Sequence, residues 1–192
     1  MDVIDDEPED GPEMPDQLEQ QIADALLNSN RTAAVAESLT GGNISAGLSA
    51  IEGASDWFLG GLVAYAEEVK FGLLGVERGP VINAKCAEQM ANGVIRLLHA
   101  DLAVATTGVG GPGPQEDLPQ GTVFIAVATP TTVRVQEYRF EGDPFEIVRQ
   151  TTRQALQDLA DAANASDRAA AADSSGRRAV VPRPSVGRRR TD

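Results

Sequence analysis

The spacing of hydrophobic and polar positions changes several times along this chain and predicts its secondary structure. Apolar residues three to four positions apart predict helices at 16–27, 43–51, 84–98 and 145–163. Short apolar runs predict strands at 32–38, 102–106, 121–129 and 131–140. Residues 52–70 read EGASDWFLGGLVAYAEEVK, and their apolar middle predicts one more buried strand, followed directly by Lys70.

Strands that alternate with helices are typical of an α/β domain. The last two predicted strands are joined by a short turn of proline and threonine, which indicates an antiparallel hairpin. We therefore expect a three-layer α/β/α domain with a mixed, mainly parallel sheet that carries this hairpin. The predicted domain spans 16–163, between a disordered acidic N-terminus at 1–15 and a disordered tail rich in Arg, Ala and Pro at 164–192.

Composition narrows the class of protein. The chain has 192 residues, 42% of them hydrophobic, which suits one domain with a real core. The net charge of −13 argues against duplex DNA or an anionic membrane as the main partner. The arginines near the C-terminus leave open a contact with nucleic acid, although such tails are usually solvated. One cysteine, no long apolar run and an acidic N-terminus predict a cytoplasmic protein without a disulfide, metal cluster or membrane segment.

Two predicted strands run into glycine-rich turns, which are the first candidates for a binding site. One turn contains Thr40, Gly41 and Gly42, and a helix is predicted to begin directly after it. The other contains Thr107, Gly108, Gly110 and Gly111. Backbone N–H groups at a helix start favour a phosphate or carboxylate, and ligands of open α/β sheets bind at the carboxyl ends of strands. The alternative is two tight turns whose glycines supply positive φ angles, and neither turn fits the Walker or the dinucleotide-binding pattern.

Ser55 and Lys70 are the candidates for a nucleophile and its base. A buried lysine of lowered pKa can take a proton from a serine hydroxyl. The two residues could meet only if the chain bends at Gly60 and Gly61. Alternatively, Ser55 caps a short turn and the stem of Lys70 lies along the end of a strand. The chain's single histidine, His99, ends a predicted helix and is expected to cap it, and Cys86 is expected to pack inside a helix.

Four motifs together resemble a known family: AESLTGG, GASDWFLGGLVAYAEEVK, TGVGGPGP and PQGTVFIAVA. They occur in the order and near the spacing found in the C-terminal domain of competence-damage-inducible protein A (CinA). Stand-alone versions of that domain hydrolyse the carboxamide of nicotinamide mononucleotide to nicotinate mononucleotide and ammonia. The resemblance implies a serine/lysine pair that uses neither a metal nor a cofactor.

The resemblance also implies a role for each residue that matches a family motif. It implies that Ser55 is the nucleophile, that Lys70 is the base and that Tyr65 or a nearby backbone N–H group steadies the oxyanion. The residues implied to bind the nucleotide are Ser38, Thr40, Gly41, Gly42, Thr107, Gly108, Gly110, Gly111 and Arg149. We expect a small-molecule nucleotide as the partner, together with self-association into a homo-oligomer.

Two departures from the family pattern keep other functions open. Leu39 stands where the family usually has a cysteine, and the segment GDPFEIVR before Arg149 lacks one of the family's arginines. The second departure bears on phosphate binding. The alternatives are an amidase that acts on another small amide and a nucleotide-binding or regulatory module without catalysis.

Overall fold

The computed structural model describes the backbone of residues 17–176 and the side chains of residues 17–165. The described chain contains five strands, five α-helices and a single 3₁₀ turn. The strands are β1 (Ala33–Glu37), β2 (Phe58–Val63), β3 (Leu102–Gly108), β4 (Thr122–Ala128) and β5 (Val133–Arg139). The helices are α1 (Gln17–Asn28), α2 (Asn43–Ser49), α3 (Glu67–Leu74), α4 (Ala84–Leu98) and α5 (Pro144–Gly176), and the 3₁₀ turn is Ala54–Asp56.

The five strands form one mixed sheet in the order β2-β1-β3-β4-β5. Strand β1 pairs in parallel with both β2 and β3, whereas β4 is antiparallel to β3 and to β5. The predicted mixed α/β sheet and its hairpin are therefore confirmed. Strand β1 lies between β2 and β3 in the sheet. The chain therefore continues from β1 to its neighbour on one side, β2, and then crosses to its neighbour on the other side, β3. Such a switch point opens a crevice at the carboxyl ends of the strands.

Side chains of the central strands alternate between two hydrophobic cores, which makes the domain three-layered. On β1, Ala33 and Val35 face the layer of α1, α2 and α5, and Ala34 and Ala36 face the layer of α3 and α4. Strands β3 and β4 alternate in the same way. A strand buried on both faces is hydrophobic at nearly every position. The small alanines of β1 and β3 let the α3–α4 layer pack closely on the sheet.

The segment from 52 to 70 differs from its prediction. Strand β2 ends at Val63, and Lys70 lies inside helix α3 rather than at the end of a strand. The helix has Glu67 and Glu68 in its first turn, where acidic side chains stabilise the helix dipole, and it ends at Gly75 with a φ of 69°. The predicted strand is present as β2, but its continuation to Lys70 is wrong, because the apolar run continues into a helix after a break of only three residues.

The predicted domain limits at residues 16 and 163 stay a prediction, and they lie at or inside the terminal helices. Helix α1 begins at Gln17, whereas helix α5 continues to Gly176, beyond the predicted limit at residue 163. The predicted disorder of 164–176 is thus not observed, while 1–15 and 177–192 lie outside the described residues. None of the described helices has the length and hydropathy needed to cross a bilayer.

Candidate active site

A cavity of about 540 Å³ lies at the carboxyl ends of β1 and β3, at the switch point of the sheet. Its wall combines the turn after β1, the start of α3, the segment before α4, the long loop after β3 and the first turns of α5. The residues that line it include Ser38, Leu39, Tyr65, Glu67, Lys70, Val81, Ile82, Thr107, Gly108, Gly110, Gly111, Glu116, Pro144 and Val148. Seven of the predicted site residues are therefore brought together.

Lys70 is the one basic side chain among the residues that line the cavity. It is 1% exposed, and its Nζ donates to the backbone oxygen of Tyr65 at 3.2 Å. Burial lowers the pKa of Lys70 below its usual range, and the neighbouring carboxylates of Glu67 and Glu116, together with Cys86 when its thiol is ionised, oppose that effect. A lysine in this position is more readily neutral than one in water, so its amine can accept a proton.

Cys86 packs beneath the cavity, beside Lys70 and Thr107, and is 2% exposed. Burial raises the pKa of this thiol to about 11, although the neighbouring Lys70 charge lowers it. At neutral pH the thiol is therefore protonated and gives Lys70 no negative partner. The prediction that Cys86 packs inside a helix is confirmed, as is the helix-capping position of His99, which has a φ of 57°.

The first glycine turn does not offer a free anion site, contrary to the prediction. The carboxylate of Glu37, which is fully buried, accepts hydrogen bonds from the backbone N–H of Gly42 at 2.9 Å and of Ile44 at 3.2 Å. It also accepts from the N–H of Ser45 at 2.9 Å and from its hydroxyl at 2.6 Å. The helix α2 start thus binds a carboxylate, as its dipole favours, but the carboxylate is the protein's own.

The residues of this first turn have different positions relative to the cavity. Thr40 is buried and shares a 3.0 Å hydrogen bond with the hydroxyl of Thr106, so it ties β1 to β3. Gly41 and Gly42 have φ angles of 62° and 110°, which favour glycine, and neither lines the cavity. Of the four residues predicted here, Ser38 alone reaches the cavity wall.

Ser38 directly follows β1, and its side chain is nearly buried, with 9% exposed. Its backbone N–H donates to the oxygen of Thr106 at 3.1 Å, which extends the β1–β3 pairing by one residue. Within the described residues, its hydroxyl makes no hydrogen bond. Ser38 is thus a serine with a free hydroxyl in the cavity that contains Lys70.

The predicted pairing of Ser55 with Lys70 is wrong. Ser55 is exposed and lies in the 3₁₀ turn before β2, whereas Lys70 follows the other end of that strand. Six strand residues separate the two ends, a span of roughly 20 Å. Gly60, with a φ of 125°, accompanies a bulge in the pairing with β1 but does not reverse the chain. The interpretation of Ser55 as part of a surface turn is the one that the structure favours.

The second glycine turn lies in the cavity wall. Thr107 is 1% exposed and its hydroxyl donates to the oxygen of Val81 at 2.7 Å. Gly108 allows close contact between chains, since a Cβ there would lie 2.6 Å from the backbone oxygen of Thr122. Gly110 and Gly111 continue the wall, and Gly111 precedes a cis bond to Pro112.

Tyr65 lies at the edge of the site, and Arg149 lies outside it. Tyr65 lines the cavity but is 72% exposed, so its ring is at the mouth while its backbone oxygen contacts Lys70. Arg149 is exposed, does not line the cavity and pairs with Glu146 at 2.8 Å. The prediction that Arg149 belongs to the binding site is not met, because its neighbour Val148 occupies the inward face of α5.

Two acidic residues of the cavity, Glu67 and Glu116, are not indicated by any motif or spacing in the sequence. Glu67 is one helical turn before Lys70, but this relation depends on helix α3, which was not predicted. The carboxylate of Glu116 accepts from the backbone N–H groups of Val81 and Ile82, both at 2.8 Å. Nothing in the loop sequence that contains Glu116 indicates a contact 34 or 35 positions away.

Comparison with known proteins gives a consistent family match. Residues 15–163 match the model of the CinA C-terminal domain. A CinA-like protein of Frankia casuarinae is 43% identical over 133 residues, which cover 67% of this chain and 31% of that protein. A CinA-like protein of Thermotoga neapolitana is 37% identical over 152 residues, which cover 75% of this chain and 36% of that protein. The chain therefore matches about a third of the length of these relatives.

Solved structures agree with this match. A competence-damaged protein (CinA) superfamily member from Klebsiella pneumoniae has a TM-score of 0.74 and 31% identity, covering 77% of this chain and 96% of its own. A member of the same superfamily from Enterobacter cloacae has a TM-score of 0.75 and 26% identity, covering 84% of this chain and 99% of its own. The fold, including the mixed sheet, is thus one that these proteins share.

Proposed function

Because the chain belongs to the CinA C-terminal domain family, we propose that it is an amidohydrolase that converts nicotinamide mononucleotide to nicotinate mononucleotide and ammonia. The reaction needs a nucleophile and a base that is neutral near physiological pH. The observation that carries the proposal is Lys70, which is buried to 1% exposure in the wall of a cavity that also contains Ser38. A module that only binds nucleotides has no need for a buried lysine of lowered pKa.

The geometry favours Ser38 rather than Ser55 as the nucleophile. Ser38 lines the cavity with Lys70, whereas Ser55 lies at the opposite end of β2. In the first step, the amine of Lys70 takes the proton of the Ser38 hydroxyl while Oγ bonds to the carboxamide carbon. The carbonyl π electrons move to oxygen, which gives a tetrahedral intermediate with an oxyanion.

Collapse of this intermediate releases ammonia. The carbon–nitrogen bond breaks as the Lys70 ammonium returns its proton to the leaving nitrogen, and an ester between Ser38 and the carboxyl group of nicotinate mononucleotide remains. Water then attacks the ester, with neutral Lys70 accepting a proton from it and passing a proton back to Ser38 Oγ. One water is consumed and one ammonia is formed, and the enzyme regains its starting state.

The cavity also suits the charge of the nicotinamide ring in this substrate. The ring nitrogen is bonded to ribose and carries a positive charge, and the carboxylates of Glu67 and Glu116 line the cavity. Tyr65 at the mouth presents an aromatic ring, against which a cationic ring can stack. We assign the ribose and phosphate to the loop of Gly108, Gly110 and Gly111, whose backbone can approach a ligand closely.

A second candidate is an amidase that acts on a small amide without a phosphate. It is favoured by the position of Arg149, which is bonded to Glu146 outside the cavity. Lys70 would then be the only cation near the substrate among the residues that line the cavity, and its role is that of a base. Nicotinamide riboside distinguishes the two candidates, because it carries the same carboxamide and no phosphate.

The proposal is tested by measuring ammonia released from nicotinamide mononucleotide, with the nucleotide product identified by mass. We expect stoichiometric ammonia and nicotinate mononucleotide from the parent protein and none from Lys70→Met. Faster release from nicotinamide riboside than from the mononucleotide would favour the second candidate. Saturable nucleotide binding without ammonia would contradict both and support a binding module.

A further inference from the structure

We propose that Glu116 is a positioning residue for this deamidation, which fastens the loop after β3 to the cavity wall of Val81 and Ile82. The inference rests on the proposed function of the same cavity. It adds a residue that neither touches the reacting atoms nor belongs to a strand or helix. The residue acts on the substrate through the wall that it holds and on Lys70 through its charge.

The contact between Glu116 and the wall is bidentate. One carboxylate oxygen accepts from the N–H of Val81 and the other from the N–H of Ile82, each at 2.8 Å. Hydrogen bonds to a charged acceptor are stronger than neutral ones, and a paired contact also fixes orientation. Val81 and Ile82 are each 7% exposed and line the cavity, so a shift of this segment changes the space open to the substrate.

The peptide groups of Val81 are held from both sides. Its N–H is bonded to Glu116, and its carbonyl oxygen accepts from the hydroxyl of Thr107 at 2.7 Å. Thr107 belongs to β3, and Glu116 belongs to the loop that follows it. The wall is thus tied to the same strand whose end forms the glycine turn, which keeps the two sides of the cavity in register.

The backbone around Glu116 is shaped for this contact. Gln115 and Leu118 exchange two backbone hydrogen bonds, at 3.0 and 2.8 Å, which close a tight turn. Glu116 and Asp117 lie between these two residues and have φ angles of 49° and 60°, respectively. This conformation is uncommon for residues other than glycine. Such a conformation costs free energy and persists where surrounding contacts hold it, and these contacts include the bidentate bond of Glu116.

The charge of Glu116 acts on Lys70 in addition. The groups that face the Lys70 amine are Glu67 on its own helix, Cys86 on α4, the Tyr65 carbonyl and Glu116. A carboxylate in this set favours the ammonium form. Replacing Glu116 by a neutral residue therefore lowers the pKa of Lys70 further, so that the base becomes neutral at lower pH.

Glu116→Gln separates these effects from a general loss of structure. Glutamine has nearly the same shape, but it offers one acceptor oxygen and presents an NH₂ group to the second N–H. We expect kcat/KM for nicotinamide mononucleotide to fall about tenfold, mainly through KM, since one charge-assisted contact is lost. The acid limb of the pH–rate profile shifts to lower pH. Glu88→Gln, at an exposed site on α4, is the matched control and leaves kcat/KM and the acid limb of the pH–rate profile unchanged.

A second measurement does not depend on activity. The sequence contains two lysines, Lys70 and Lys85, so protein labelled with ¹³C-lysine gives two side-chain titrations, and exposed Lys85 is the internal reference. We expect Glu116→Gln to lower the Lys70 midpoint and to speed hydrogen exchange at the amides of Val81 and Ile82. No ammonia from the parent would reject the proposed function. An unchanged Lys70 titration, or an unchanged KM in an active variant, would overturn the role of Glu116.

Discussion

Ser38 and Lys70 line one cavity, although Ser38 directly follows a strand and Lys70 lies inside a helix. They meet because β1 and β2 are parallel neighbours, so that the chain after β1 and the chain after β2 emerge at the same edge of the sheet. Ser55 precedes β2 and is therefore at the other edge. The relation between these elements determines which serine shares the cavity with Lys70.

Replacement of each serine tests this assignment. We expect Ser38→Ala to reduce kcat/KM for deamidation by at least about 10³-fold, because it removes the attacking oxygen. Ser55→Ala, at an exposed surface turn, should retain the parent rate and serves as the matched control. The measurement is ammonia release under steady-state conditions, with circular dichroism to show that both variants fold. Loss of activity in Ser55→Ala alone would contradict the assignment.

The pH dependence of the reaction reports on Lys70. A base must be neutral to accept a proton, so kcat/KM is expected to rise as pH increases through the pKa of Lys70. Burial lowers this pKa, and the rise should therefore occur below the usual lysine range near 10.4. Lys70→Arg should be inactive at every pH, since a guanidinium does not lose its proton. A profile that is flat from pH 6 to pH 10 would argue against a lysine base.

Lys70 also makes stability depend on pH. Between its lowered pKa in the folded state and the ordinary value of about 10.4 in the unfolded state, the unfolded chain binds more protons. The contribution of Lys70 to the free energy of unfolding therefore rises with pH across this window and is constant above it. Lys70→Met should lack that rise, since methionine has no titratable group. Urea unfolding at several pH values measures the difference, and an equal rise in Lys70→Met would contradict it.

The contact of Ser45 with Glu37 is testable through the neighbouring strand. A Cβ on Gly61 would collide with the Ser45 hydroxyl, which is fixed by its bond to the carboxylate. Gly61→Ala should lower the free energy of unfolding by about 1–3 kcal/mol. Ser45→Ala should lower it by about 1.5–3 kcal/mol. The double variant should lose less free energy of unfolding than the sum of the two single-variant losses, because the clash with the hydroxyl is gone. Additive losses in chemical denaturation would show that the two sites are independent.

Replacement of Arg149 tests whether this residue binds the substrate phosphate or stays paired with Glu146. Its guanidinium is held by Glu146 on the outside of α5, so Arg149→Ala should change KM for nicotinamide mononucleotide by less than about threefold. The effect should be equal for nicotinamide riboside, which lacks the phosphate. Steady-state kinetics with both substrates measures this, and Glu146→Ala is the companion variant. A loss confined to the phosphorylated substrate would show that Arg149 leaves Glu146 and binds the phosphate.

Most elements of the fold were predictable from the sequence. Helix α4 has apolar residues such as Met90 and Val94 at helical spacing, and these positions are buried as the pattern requires. Strands β4 and β5 were identified by two β-rich runs with a turn between them. Helix α3 was missed because its hydrophobic residues continue those of β2, and a short apolar run does not distinguish a strand from a helix.

The sequence by itself determined the layers of the fold, the family and the residue types of the site. These depend on local periodicity and on short motifs, which are present in the chain before it folds. The tertiary structure alone decided that Glu37 occupies the start of α2, that Ser38 rather than Ser55 accompanies Lys70, and that Glu116 holds the cavity wall. Each of these relations joins residues through strand direction or through loops that meet in space. Spacing along the chain does not specify such contacts, because they arise from the order and direction in which the strands pair.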